Sequence, residues 1–113
     1  MAGLYIGATA GYSGKNMVVM GLGLRFQKEG YRVGYLKPVG AMPREIDGRL
    51  WDDDAYHVQR ILRTDEAPET LTPIIASHDF QVKAFRNQTG DVMGMIRDAY
   101  EKVAAGKDVT LVG

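Results

Sequence analysis

The residues best suited to chemistry stand in a glycine-rich stretch, residues 7–14, which reads GATAGYSG and runs directly into Lys15. Such a stretch can direct backbone N–H groups at an anion, beside a lysine ammonium that neutralises the outer phosphates. The phosphate-loop (Walker A) pattern G-x-x-x-x-G-K-[ST] is met at Gly14 and Lys15, but Thr9 replaces its first glycine and Asn16 its final hydroxyl residue. The alternative is an ordinary glycine-rich turn with its lysine in solvent. We predict a phosphate loop made of Thr9, Ala10, Gly11, Tyr12, Ser13, Gly14, Lys15 and Asn16.

Two further polar residues stand where a second part of the site is expected. Lys37 follows a short apolar run, so it would lie at the carboxyl edge of a parallel sheet, where such folds bind ligands. Asp54 is in helical phase with Val58 and Ile61, so we expect its carboxylate to face the protein. An inward carboxylate is costly without a cation, and Lys15, Lys37 and a phosphate-bound Mg²⁺ are the candidate partners. The alternatives are a surface lysine and a structural cap or ion pair.

The remaining polar candidates have simpler interpretations. Asp52 or Asp53 is predicted to be the N-cap of a helix, because a short carboxylate can accept a free N–H of the first turn. The two histidines, His57 and His78, could share a metal with Asp53, but surface or packing roles are the commoner case. Ser13 has no evident base, so a nucleophile there is not favoured. The absence of cysteine excludes disulfides, thiolate metal sites and cysteine nucleophiles.

The elements that must position these residues alternate between strands and helices. The pattern predicts a strand at 4–6, a helix at 15–29, a strand at 31–36, a loop at 40–51, a helix at 53–63, an irregular segment at 64–90 with a short strand at 74–76, a helix at 91–105 and a strand at 109–112. This alternation is typical of an α/β fold with a parallel sheet.

The first predicted helix carries wide apolar cover, made of Met17, Met20, Gly21 and Leu24 with Val18, Leu22 and Phe26 beside them. We expect it to be buried against the sheet. Gly21 and Gly23 fit a dinucleotide fingerprint poorly, because Phe26 stands where its third glycine belongs. They are interpreted as positions of close helix–sheet packing.

Length and composition exclude several classes of protein. The 113 residues suit one domain, and 14 basic against 14 acidic residues give no net charge, unlike a typical nucleic-acid binder. The apolar stretch 17–24 is too short to span a bilayer, which needs about 20 residues, and the N-terminus has no signal-peptide pattern. We interpret the chain as cytoplasmic, without a nucleic-acid or membrane partner. Because it stops on an apolar strand at Leu111, Val112 and Gly113, we expect a longer protein of which it is the N-terminal part.

Three segments carry a resemblance to a known family. They are IGATAGYSGKN at 6–16, VGYLKPVG at 33–40 and DDDAYHVQRIL at 52–62. With these the chain resembles the dethiobiotin synthetase-like branch of the P-loop proteins. That branch includes cobyrinic acid a,c-diamide synthase and the N-terminal domain of long phosphotransacetylases. The resemblance implies the N-terminal half of a P-loop NTPase-type domain, here 1–113, with a parallel sheet and flanking helices.

The resemblance also implies ATP and Mg²⁺ as cofactors. Lys15 would contact the β- and γ-phosphates, Lys37 the γ-phosphate and a reacting carboxyl group, and Asp54 with Asn16 the metal. Family enzymes are ATP-dependent ligases or amidases that phosphorylate a carboxylate or carbamate, which an amine then attacks. Asn16 replaces the family's metal-contacting Thr, and Gly113 stands where the family has a Glu.

Those two departures favour a nucleotide-sensing role over the ligase or amidase. The third hypothesis is an interaction module that has kept the fold and lost the nucleotide. A small carboxylate or amine substrate and a homodimer are further expectations from the family.

Overall fold

The computed structural model describes residues 2–5 and 15–113, and within them strands and helices alternate. The elements are β1 (Ala2–Tyr5), α1 (Lys15–Lys28), β2 (Val33–Leu36), β3 (Val39–Gly40), β4 (Pro43–Ile46), β5 (Arg49–Asp52), α2 (Asp53–Leu62), α3 (Pro68–Leu71), β6 (Ile74–Ile75), α4 (His78–Phe85), α5 (Val92–Ala104) and β7 (Val109–Val112). The predicted α/β class is confirmed. None of the helices in these ranges is both long and apolar enough to cross a membrane.

The main sheet has three parallel strands in the order β1–β7–β2. Leu111 of β7 pairs with Leu4 on one side and Tyr35 on the other, and it is fully buried. Since the three strands run the same way, their carboxyl ends at Tyr5, Leu36 and Val112 meet at one edge. We call this the carboxyl edge. The predicted parallel sheet is confirmed, and Lys37 follows β2 directly at that edge.

Helices cover both faces of this sheet. On one face Tyr35 packs with Val19 of α1 and with Val58 and Leu62 of α2. On the other face Leu36 packs with α5, whose Ala99 and Val103 are buried. Neighbouring residues of a strand point to opposite faces, so Tyr35 and Leu36 belong to different layers. The result is a helix–sheet–helix sandwich.

The buried face of α1 agrees with the predicted one only in part, since Met20 and Phe26 pack against the core. Val19 and Gly23 are buried, whereas Met17 is 75% exposed and Gly21 and Leu24 also face outward. Gly23 packs against the side chain of Leu62 in α2, and a Cβ on Gly21 would meet nothing within 4 Å. The prediction of helix–sheet packing was therefore wrong for both glycines. The apolar residues of α1 span a wider part of its circumference than the face that packs against the sheet and α2.

The predicted loop at 40–51 is instead largely an antiparallel hairpin. Strands β4 and β5 pair from Pro43 opposite Asp52 to Ile46 opposite Arg49, and Asp47 and Gly48 form the turn with φ angles of 52° and 78°. Positive φ at both central residues is the type I′ geometry that suits a two-residue hairpin. The Asp-Gly pair was the available signal for this element.

The segment 64–90 contains more structure than the sequence indicated. The short strand predicted at 74–76 is present as β6, which pairs with β3. The helices α3 and α4 were not predicted, because each spans eight residues or fewer and carries little periodicity. Their local start signals were present: Pro68 begins α3, and the Ser77 hydroxyl accepts the Phe80 N–H at α4.

Candidate functional site

The predicted phosphate loop falls mainly outside the described residues. This applies to Thr9, Ala10, Gly11, Tyr12, Ser13 and Gly14 and to the side chain of Lys15. The structure does place the flanking elements: β1 ends at Tyr5, at the carboxyl edge, and α1 begins with Lys15. Asn16 lies half-buried in the first turn of α1. A parallel strand thus precedes the predicted phosphate loop in the chain and a helix follows it, as the phosphate-loop pattern requires.

Lys37 lies at the centre of a charged cluster next to that edge. Its side chain is only 11% exposed, and its Nζ lies 3.1 Å from Asp52 Oδ2 and 3.7 Å from Asp54 Oδ2. Its backbone N–H donates to Leu71 O at 2.9 Å, which fixes the start of the segment after β2. Lys37 and Asp54, which the sequence selected separately, are therefore brought together in one ion-pair cluster.

Asp54 is less buried than its helical phase suggested. Its side chain is 36% exposed, and Ile61, on the same predicted stripe, is 47% exposed. The buried face of α2 instead follows Ala55, Val58 and Leu62. The predicted inward orientation of Asp54 is thus confirmed only in part. Its carboxylate lies near the Lys37 ammonium, but it is also exposed to solvent.

Asp52 also belongs to this cluster, although the sequence predicted only a helix cap for it. Its side chain is fully buried, and it is the N-cap of α2, accepting the Ala55 N–H at 2.9 Å. Its second oxygen accepts the Met42 N–H at 3.2 Å. The prediction of a cap at Asp52 or Asp53 is confirmed at Asp52. Nothing in the run of three aspartates indicated that this one would meet Lys37.

Tyr35 adds a buried phenol beneath the cluster. Burial, and then the nearby Asp52 and Asp54 carboxylates, raise the pKa of the Tyr35 hydroxyl well above its usual range. Its Oη lies 3.6 Å from where a Cβ on Gly113 would stand, at the end of β7. Tyr35 is therefore a neutral hydrogen-bonding group near the carboxyl edge, in a position that the sequence analysis did not single out.

Asp53 faces away from this cluster, toward the hairpin. Its Oδ1 accepts from Arg44 Nη1 at 2.8 Å and lies 3.4 Å from His57 Nε2. The hydrogen bond from Arg44 is the main reason why the pKa of Asp53 is lowered. Next to it, Trp51 of β5 and Tyr56 of α2 meet edge to face, with ring centroids 5.2 Å apart. These contacts hold the hairpin against α2.

A histidine metal site is not formed. Among residues 2–5 and 15–113, no three or more His, Asp or Glu side chains gather closely enough to hold a metal ion by themselves. The weaker interpretation of His57, His78 and Asp53 as a metal site was therefore wrong. Nucleotide-bound Mg²⁺ is a different case, since it takes one or two carboxylates together with phosphate oxygens and waters. The half-exposed carboxylate of Asp54 fits that need.

An open cleft of about 400 Å³ lies apart from the lysine cluster. It is lined by Arg49, Leu50, Pro68, Glu69, Thr72, Pro73 and Ile75. Arg49 Nη2 donates to both carboxylate oxygens of Glu69, at 2.9 and 3.1 Å. The two charged residues of the lining therefore pair with each other.

The charge and geometry at the carboxyl edge define what the cluster can do. One lysine against two aspartates leaves a net negative charge, which suits a divalent cation. The Lys37 ammonium has three donors and only two carboxylate neighbours within 4 Å among the described side chains. Among the described residues the ammonium donates one hydrogen bond, to Asp52, so a further N–H is able to meet a phosphate oxygen. No protein-family model matches the chain.

Proposed function

We propose that the chain is a MgATP-binding domain of the P-loop NTPase type, similar to dethiobiotin synthetase, with a nucleotide-sensing role. The observation that carries this is the Lys37–Asp54 pair, 3.7 Å apart beside the carboxyl edge. That is the edge at which parallel α/β proteins bind ligands, and the segment between β1 and Lys15 begins there. Two residues selected for phosphate and metal chemistry thus lie together beside the edge of the sheet at which β1 also ends, with β7 between β1 and β2.

Each residue has a defined task in this proposal. Lys15 and the loop from Thr9 to Gly14 hold the β- and γ-phosphates, and Lys37 approaches the γ-phosphate. Asp54 and Asn16 face the magnesium ion, which when bound screens the phosphate charges. Tyr35 remains a neutral donor at the same edge, because its pKa is raised. These groups recognise a triphosphate mainly by charge and hydrogen bonding.

An ATP-dependent ligase or amidase that activates a small carboxylate or carbamate is the alternative. It is favoured by the fixed position of Lys37, which two aspartates hold in a largely buried setting. Charges that are positioned before reaction are what phosphoryl transfer requires of a protein. Phosphate release that depends on an added carboxylate and amine would favour this alternative, whereas binding without turnover favours sensing.

Calorimetric titration with MgATP and MgGTP tests the proposal. We expect saturable MgATP binding by the unmodified chain and its loss in Lys15→Ala. The matched control is Lys28→Ala, since Lys28 is an exposed lysine in the last turn of the same helix. Retained binding in Lys15→Ala, or equal loss in both variants, would contradict the phosphate loop. No binding of either nucleotide by the unmodified chain would favour the interaction module.

A further inference from the structure

The buried carboxylate of Asp52 is held in one position. Its Oδ1 accepts the Met42 N–H at 3.2 Å and its Oδ2 the Ala55 N–H at 2.9 Å. Gly40 makes room for it, because a Cβ there would lie 2.5 Å from Asp52 Oδ1. The proposed nucleotide site gives this carboxylate no direct contact with ligand, yet its only cationic partner in the described part of the chain is Lys37.

Lys37 is shared unequally between its two carboxylates. At 3.1 Å it hydrogen-bonds to Asp52, whereas 3.7 Å to Asp54 is an ion pair without a hydrogen bond. Asp54 therefore keeps its lone pairs, and a side chain that is 36% exposed can turn them toward a ligand. The inequality depends on Asp52, since the backbone donors fix that carboxylate on one side of the ammonium.

We propose that Asp52 is a positioning residue, which holds the Lys37 ammonium away from Asp54 and so leaves the Asp54 carboxylate free for the divalent cation of the nucleotide. This inference rests on the proposed function. Without the Asp52 charge, the largely buried ammonium needs another anion, and Asp54 is the nearest one. Lys37 then occupies the oxygen that the metal requires.

The Asp52→Asn variant tests this, since its amide oxygen can still cap α2. In a crystal structure of the unliganded variant, we expect the distance from Lys37 Nζ to Asp54 to shorten to about 2.8 Å, a charge-assisted hydrogen bond. The Mg²⁺ concentration for half-maximal ATP binding should rise about tenfold, as expected when a hydrogen-bonded ammonium competes for the carboxylate.

Asp53→Asn is the matched control. It removes a carboxylate from the same helix turn, but this one pairs with Arg44 and His57 rather than with Lys37. We expect it to leave the Lys37–Asp54 distance and the Mg²⁺ midpoint unchanged. An equal rise of the midpoint in both variants would overturn the proposal, as would an Asp52→Asn structure in which Lys37 stays as far from Asp54 as before.

Asp52→Ser covers the case in which Asp52→Asn does not fold, since a serine hydroxyl also caps a helix and carries no charge. We expect the same shortening of the Lys37–Asp54 distance and the same rise of the Mg²⁺ midpoint as for Asp52→Asn. An Asp52→Ser chain whose distance and midpoint equal those of Asp53→Asn would overturn the proposal. A failure of the unmodified chain to bind ATP refutes the proposed function instead, and the distance in unliganded Asp52→Asn still decides the role of Asp52.

Discussion

Gly23 of α1 lies directly against Leu62 of α2. A Cβ built on Gly23 would come 2.5 Å from Leu62 Cδ2 and 3.0 Å from Cδ1, closer than side-chain atoms normally approach. One turn further along α1, Gln27 Nε2 donates to the backbone oxygen of Leu62 at 2.7 Å. This contact fixes how closely α1, which begins with Lys15, packs against α2, which carries Asp54.

Substitution of the two glycines of α1 should therefore have opposite effects. Alanine in place of an exposed helical glycine stabilises by about 1 kcal/mol, and Gly21 is exposed with nothing within 4 Å of its Cβ position. At Gly23 the same gain is outweighed by the clash with Leu62, which costs about 1–3 kcal/mol. Urea unfolding should show a more stable Gly21→Ala and a less stable Gly23→Ala. Equal stabilisation by both would contradict the close helix contact.

Removal of the Lys37 charge should destabilise the fold strongly. Lys37→Met leaves the fully buried Asp52 carboxylate without its ammonium, and breaking a buried pair in this way costs about 3–5 kcal/mol. The companion variant Lys37→Met/Asp52→Asn removes the uncompensated charge and should recover much of that loss. Lys28→Met, at an exposed position, is the control. A Lys37→Met variant as stable as that control would show that the Lys37–Asp52 ion pair does not contribute to the stability of the fold.

Asp54→Asn should weaken the binding of MgATP far more than that of metal-free ATP. The amide keeps the size of the side chain but loses the charge that faces the metal. We expect a loss of about tenfold for MgATP, as is common when a group at a metal site is changed. Binding measured with excess chelator should change little. An equal loss in both titrations would instead identify Asp54 as a structural partner of Lys37.

The contact between Arg44 and Asp53 predicts a pH dependence of stability. The pKa of Asp53 is lowered in the folded chain by the Arg44 hydrogen bond, so the pair contributes stability above the unfolded value of about 3.9. That contribution is lost as the pH falls through the depressed folded-state value. The free energy of unfolding, followed by the fluorescence of Trp51, should therefore fall more steeply below about pH 4 than in Asp53→Asn.

Asp108→Asn is the comparison for this experiment. Asp108 also has a lowered pKa, chiefly because it accepts the Arg32 N–H, but it stands beside Arg32 rather than at the hairpin. In Asp108→Asn, the stability that the Arg44–Asp53 contact contributes should still be lost as the pH falls below about 4. Parallel pH profiles for the unmodified chain and Asp53→Asn would show that the hairpin contact is unimportant.

The long helices were predictable because their signals are local and repeated. The prediction for α5 at 91–105 is confirmed at Val92–Ala104, with Asp91 as its cap and Ala99 and Val103 buried. Gly106 after it has a φ of 73°, a conformation that glycine adopts readily. The hairpin at Asp47 and Gly48 was readable from the same kind of signal and was overlooked. The helices α3 and α4 are too short for periodicity to reveal.

The sequence by itself determined which groups are available and where along each element they stand: a lysine after β2, aspartates at the start of α2 and a glycine-rich segment before Lys15. It also determined the α/β class, since the alternation of strand and helix patterns is local. Only the tertiary structure decided that Lys37 meets Asp52 more closely than Asp54. It likewise decided that Gly23 rather than Gly21 is packed. These contacts depend on how distant segments pack and on which carboxylate the backbone donors hold in place. Neither produces a periodic pattern in the sequence.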